Sequence, residues 1–158
     1  MKAFREILAA LGVLFAILTA VYGYFTLPQR IPTHFNAANI ADGWSDKSSL
    51  WFFVGIACVV YVGMSLIRYA PERSINLPVA PEQRAAAIPI DRDMVAWMKA
   101  EMTWIFAGTT WLIVALAQGH SPDLVMWFVP PSLGIVFATV IYHIARMKKV
   151  AATTPETL

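Results

Sequence analysis

A chain of 158 residues has the length of one ordinary domain, but hydrophobic residues make up 58% of it and charged residues only 14%, against about 45–50% and about 25% in soluble domains. The formal net charge of +2 argues for no nucleic-acid partner. A single cysteine, Cys58, excludes an internal disulfide, a cysteine-rich zinc site and a Cys-x-x-Cys redox pair.

The apolar excess is concentrated in four uncharged runs, residues 7–25, 50–67, 102–117 and 124–145. A hydrocarbon core about 30 Å thick needs about 20 helical residues. Three runs suffice unaided; the third is extended by Gln118 and Gly119 on one side, and Lys99 can snorkel on the other. The buried helices of a soluble protein would carry polar faces at helical spacing, and these runs are apolar all round. The composition predicts an all-α polytopic membrane protein of four transmembrane helices, a single domain over residues 1–158 whose surroundings are the lipid bilayer.

The first run follows a basic start, Met1 to Arg5, like a secretion signal, but it is too long, and Tyr22, Tyr24 and Phe25 stand where a cleavage site wants small residues. A retained helix is expected. Gly12, Ala16 and Ala20 recur at steps of four on it, a stripe that lets a second helix, from this chain or another copy, approach closely.

Residues 27–49, LPQRIPTHFNAANIADGWSDKSS, separate the first two spans. Pro28 and Pro32 stiffen the exit from the first helix, and Asp42-Gly43 is a turn signal. The pattern predicts a compact, ordered loop organised by His34, Asn36, Asp42 and Trp44, in which Asp42 accepts from His34 or from backbone N–H groups and Asn36 bridges backbone groups as an Asx-type turn does. The indole of Trp44 is expected to fold the loop back over the helix ends. Asp46, Ser48 or Ser49 caps the second helix.

Residues 70–93 carry Pro71, Pro78, Pro81 and Pro89 and charges of both signs. They predict an irregular connection, with at most a helical turn over residues 82–87 and no core of its own, long enough to give the two helical pairs (1–69 and 94–146) some independence. The third helix is expected to start near Asp91 or Asp93. Trp97, Trp104 and Trp111 recur every seven residues on one face of it, read as packing and interface anchoring rather than a cofactor stack, so no cofactor is implied. Ser121 and Pro122 suit the N-cap and first position of the fourth helix. Pro130 and Pro131 predict an interruption in its outer half. Gly134 and Ala138 form another close-approach step, and residues 147–158 a flexible tail.

Of the twelve Lys and Arg residues only Arg30 and Lys47 fall in the first and third loops; the rest fall at the N-terminus, in the second loop and at the C-terminus. The positive-inside bias predicts cytoplasmic termini. No ionisable residue sits centrally in any run, which disfavours ion coupling. His34, His120 and a carboxylate such as Asp42, Asp46 or Asp123 are the groups that a metal would need on the outer side, but they come from separate loops at no ligand-like spacing, so no metal is expected. No catalytic motif is present either, and the chain is read as a non-enzyme.

The segment LPQRIPTHFNAANIADGWSDK resembles the loop of the family typified by the bacterial SdpI immunity proteins, whose N-terminal membrane domain of unknown function carries Leu-Pro-x-x-Ile-Pro-x-His-Phe-Asn…Asp-x-Trp between two helices. Leu27, Pro28, Ile31, Pro32, His34, Phe35, Asn36, Asp42, Gly43, Trp44 and Lys47 match it; Asn39 and Ser45 stand where the family often has glycine. The resemblance covers residues 7–69. It implies a prokaryotic cell-membrane protein with His34, Phe35, Asn36, Asp42 and Trp44 in an outer recognition surface for a secreted peptide or envelope factor. The alternative is an accessory subunit of a larger membrane complex or a homo-oligomer, docking through Gly12, Ala16, Ala20, Gly134 and Ala138 and through the Trp face of the third helix.

Overall fold

The computed structural model describes residues 2–36, 40–72, 75, 77 and 79–152. Four helices dominate: α1 (Lys2–Thr26), α2 (Leu50–Arg68), α3 (Arg84–Ala117) and α4 (Leu124–Ala152). Each is long and apolar enough to cross a membrane, and the chain is an all-α multi-pass membrane protein. Between α1 and α2 the loop forms an antiparallel hairpin, β1 (Arg30–Phe35) and β2 (Ala41–Asp46), followed by a 3₁₀ turn, Lys47–Ser49.

Helix α3 is the central element, packed against α1, α2 and α4, while α1 also meets α2. The α1 stripe makes this possible. Ala16 and Ala20 are fully buried, and a Cβ added at Gly12 would stand 2.9 Å from Thr103 Oγ1 and 3.2 Å from the Thr103 backbone carbon. The helix backbones approach as small residues allow. The two helical pairs are therefore not independent: α3 closes on the first pair directly.

Helix α3 starts at Arg84, well before the expected Asp91 or Asp93, and runs through Pro89. Three alanines, 85 to 87, favour helix, and Pro89 lies close enough to the start that few backbone bonds are lost. Burial adds to this, because Ala87 and Ile88 pack with Leu77, Ile75, Val79 and Met147 in a small cluster under the connection. Residues 70–93 thus contain apolar material that the pattern of prolines concealed. The interruption expected at Pro130 and Pro131 is also absent: α4 is helical from Leu124 through Ala152. The prolines are the seventh and eighth residues of the helix and deprive the Met126 and Trp127 carbonyls of their N–H donors, but their fixed φ suits a helix and Ser132 Oγ donates to the Phe128 carbonyl (2.7 Å). Residues 147–152 of the expected tail are helical; residues 153–158 lie outside the described residues.

At the hairpin end of the bundle α3 stops on Gly119, whose φ of 89° is a left-handed cap. The His120 N–H donates to the Ala115 carbonyl (3.1 Å) and the Gly119 N–H to that of Leu116 (3.0 Å), which satisfies carbonyls the helix end would orphan. Ser121 Oγ then accepts from the Asp123 N–H (3.3 Å) as the start of α4.

Candidate functional site

Two polar arrangements sit at opposite ends of the bundle. The first is the hairpin. Cα partners run Arg30↔Asp46, Ile31↔Ser45, Pro32↔Trp44, His34↔Gly43 and Phe35↔Ala41, leaving Thr33 and Asp42 as the extra residues of a bulged ladder. Pro32 has no N–H to give the ladder, so an irregularity beside it is where one is tolerated. The bulge brings the His34 ring to Asp42: Nδ1 lies 2.5 Å from Asp42 Oδ1, and since the carboxylate only accepts, Nδ1 carries the proton. The ring presents Nε2 outward, on a side chain that is 72% exposed. Asn36 closes the far end, Oδ1 accepting from the Ile40 N–H (3.0 Å) while its own N–H donates to the Ile40 carbonyl (2.9 Å). Asn39 falls outside the described residues.

What holds the hairpin to the membrane helices is not Trp44, whose indole is 53% exposed, but Ile31. That side chain is fully buried in one cluster with Ala16, Ala20, Leu27, Leu50, Val54, Ala107 and Val114. Sequence reasoning passed over it as one more apolar residue; its place between two turn-forming prolines, alone among polar neighbours, was the available signal. Phe35 is half-buried. At the base, the Lys47 N–H donates to the Gln29 carbonyl (2.9 Å), Lys47 Nζ reaches the Leu27 carbonyl (3.3 Å), and Asp46 Oδ1 accepts from the Ser48 N–H (2.8 Å). The Ser48 backbone and hydroxyl, with Gln29 and Lys47 adding to them, hold the Asp46 carboxyl below its ordinary range. Its stabilising contribution is therefore present above the ordinary carboxylate range and is lost as pH falls through the lowered value.

Gly43 is required sterically. A Cβ there would stand 2.6 Å from His34 Cβ, an atom fixed to the opposite strand. Gly43→Ala is expected to force the strands apart at a cost of about 1–3 kcal/mol, read as faster amide exchange across residues 30–46 with the helices unchanged. Protection equal to that of the parent would show the contact to be soft.

The second arrangement, at the far end of the bundle, was missed. Lys99, expected to snorkel, is fully buried: Nζ lies 2.8 and 2.6 Å from the two Glu6 oxygens, 3.0 Å from Ser65 Oγ and 4.8 Å above the Tyr61 ring. Arg68 also pairs with Glu6. Beside them Arg5, 7% exposed, pairs with Asp93 and lies over Trp97. Asp93 also meets His143 Nε2 (3.3 Å) and Arg146 (3.7 Å), and His143 Nδ1 faces the Thr139 carbonyl (2.8 Å). All four helices contribute. Each charged group lies about 20 residues from the hairpin end of its helix, which at about 1.5 Å per residue puts the network at the edge of the hydrocarbon away from the hairpin. Charges of both signs at matching depth on separate runs were the signal. Only Lys99 is singled out by the sequence, as a snorkelling residue.

The remaining candidates are dispersed. His120 Nδ1 faces the Ala115 carbonyl (3.0 Å) as part of the α3 cap, and among the described residues no three of His, Cys, Asp and Glu converge on a metal-sized site. Gly134 and Ala138 are exposed, with nothing within 4 Å of a Cβ added at Gly134. Helix α4 turns its other face to α3, so within this chain that step approaches nothing. The close approach between α3 and α4 lies instead at Gly108, where an added Cβ would stand 2.3 Å from the Phe128 ring.

Residues 11–69, which comprise most of α1, the hairpin and α2, match a family described as a domain of unknown function, DUF1648. The match ends where α2 ends and leaves α3 and α4 outside it. No curated protein and no solved structure matches the chain.

Proposed function

We propose that the hairpin is a recognition surface for an extracellular peptide or envelope factor, carried by a prokaryotic cell-membrane protein of the SdpI immunity type with both termini in the cytoplasm. The observation that carries this reading is the exposure of Ile40 (63%) and Trp44 (53%) on a hairpin whose base is locked into the bundle through Ile31. Large apolar groups held outward on a preorganised scaffold lose little entropy on binding, and Trp is among the residues that dominate interfaces. The exposed His34 and Asp42 pair adds directional polar contacts beside them. The motif in residues 27–47 supports the family part of the reading, beside a match over residues 11–69 that gives a domain of unknown function alone, and the placement of Lys and Arg supports the orientation.

A photo-reactive phenylalanine in place of Trp44 is expected to crosslink an extracellular polypeptide in living cells, and His34→Ala with Asp42→Asn to weaken that crosslink at unchanged abundance, because an exposed pair contributes only about 0–1 kcal/mol to stability. Crosslinks to integral membrane subunits instead would favour the accessory reading, which draws on the outward-facing Gly134 and Ala138. In a Cys58→Ala background an impermeant thiol reagent is expected to label Ser48→Cys and not Ala86→Cys in intact cells. The opposite pattern would reverse the orientation and remove the recognition surface from the outside.

A further inference from the structure

Because α4 packs on α3 and not on α1, a groove of about 490 Å³ is left open between the three helices, lined by Phe15 of α1, by Trp97, Trp104 and Trp111 of α3 and by Phe128 of α4, with Glu101 as its ionisable residue. The heptad spacing of the tryptophans puts them on one face, and Gly108 gives the Phe128 ring its seat. Trp104 Nε1 donates to the Leu8 carbonyl (2.9 Å), and its ring packs on Phe15 with centroids 5.7 Å apart, so the wall is held rather than loose.

Glu101 has no ion-pair partner among the described residues. Arg5 is taken by Asp93, and Lys99 and Arg68 by Glu6. Its Oε1 accepts from Thr139 Oγ1 (2.5 Å); its Oε2 is buried and makes no hydrogen bond. At about 1.5 Å per residue Glu101 lies about 24 Å from the outer end of α3, inside a hydrocarbon core about 30 Å thick. An acceptor left unpaired there costs several kcal/mol, since the bilayer core holds no water to satisfy it. Ser132, also on the wall, already donates to Phe128.

We propose that the groove holds the apolar chain of a membrane amphiphile whose polar end carries an O–H or N–H donor, and that this donor hydrogen-bonds the Glu101 carboxyl. Glu101 lines the groove. The shape suits an extended chain: from Trp97 to Trp111 the groove is about 21 Å long. The volume lies within the range of about 300–1,000 Å³ that small-molecule sites occupy.

The test uses the full chain in phosphatidylcholine nanodiscs with Trp44, Trp51 and Trp127 changed to Phe, so that fluorescence reports the groove. A brominated sixteen-carbon alcohol and its methyl ether, which lacks the donor, are titrated as quenchers. The alcohol is expected to quench at a roughly 10-fold lower mole fraction than the ether, the factor one charge-assisted hydrogen bond supplies, and Glu101→Ala to abolish the difference. Ile105→Trp, which narrows the groove without touching the carboxyl, is expected to weaken quenching by both. Equal quenching by the two compounds, or a preference that survives Glu101→Ala, would overturn the proposal. So would a chain-to-chain crosslink between Trp104→Cys protomers, because a second copy would then occupy the groove.

Discussion

Glu6→Gln is expected to destabilise the folded protein by about 3–5 kcal/mol in mixed micelles, the cost of removing one partner from a buried ion cluster. The reason is the arithmetic of charge around that carboxylate. Lys99 is fully buried and Arg68 has a side chain 10% exposed, and both point at Glu6; the neighbouring Asp93 is engaged by Arg5, His143 and Arg146. Glutamine keeps the shape and leaves two adjacent cations with no counter-charge at the edge of the hydrocarbon away from the hairpin. Lys99→Met, by contrast, leaves the Glu6 and Arg68 pair intact and should cost less. The double variant should recover much of the loss, because it removes the stranded ammonium. Additive losses in the unfolding midpoints would show that Glu6 and Lys99 do not act as a pair.

Ile31→Ala should cost about 2–5 kcal/mol, the range for truncating a large aliphatic side chain that cannot be refilled. Its neighbours are already minimal, since Ala16, Ala20 and Ala107 have nothing to extend into the void. The loss should appear at the hairpin as well as in the whole protein, with amide protection across residues 30–46 falling more than that of α3. Ile40→Ala is the control: at 63% exposure its truncation should change stability by no more than about 0.5 kcal/mol. A similar small effect for both would mean that the hairpin is not anchored through Ile31 at all.

These two residues mark the boundary of what a linear reading reaches. By itself the sequence determined the four spans, because length and apolar content are local properties and the bilayer demands both. It also determined the order of the loop between α1 and α2 and the close approach of α1, since proline, Asp-Gly and small-residue steps constrain the chain within a few residues of themselves. The helical course of Pro130 and Pro131 and the early start of α3 were misread, for proline position within a turn and burial of Ile88 matter more than proline count. The tertiary structure alone decided the rest. Pairing Glu6 with Lys99 across 93 residues, seating Ile31 among three helices, and collecting three tryptophans and an unpaired carboxyl into one groove all depend on which helix faces meet. Several packings of four apolar helices satisfy the same hydropathy; the choice among them is made by small-residue contacts and buried charges, whose partners lie far apart along the chain.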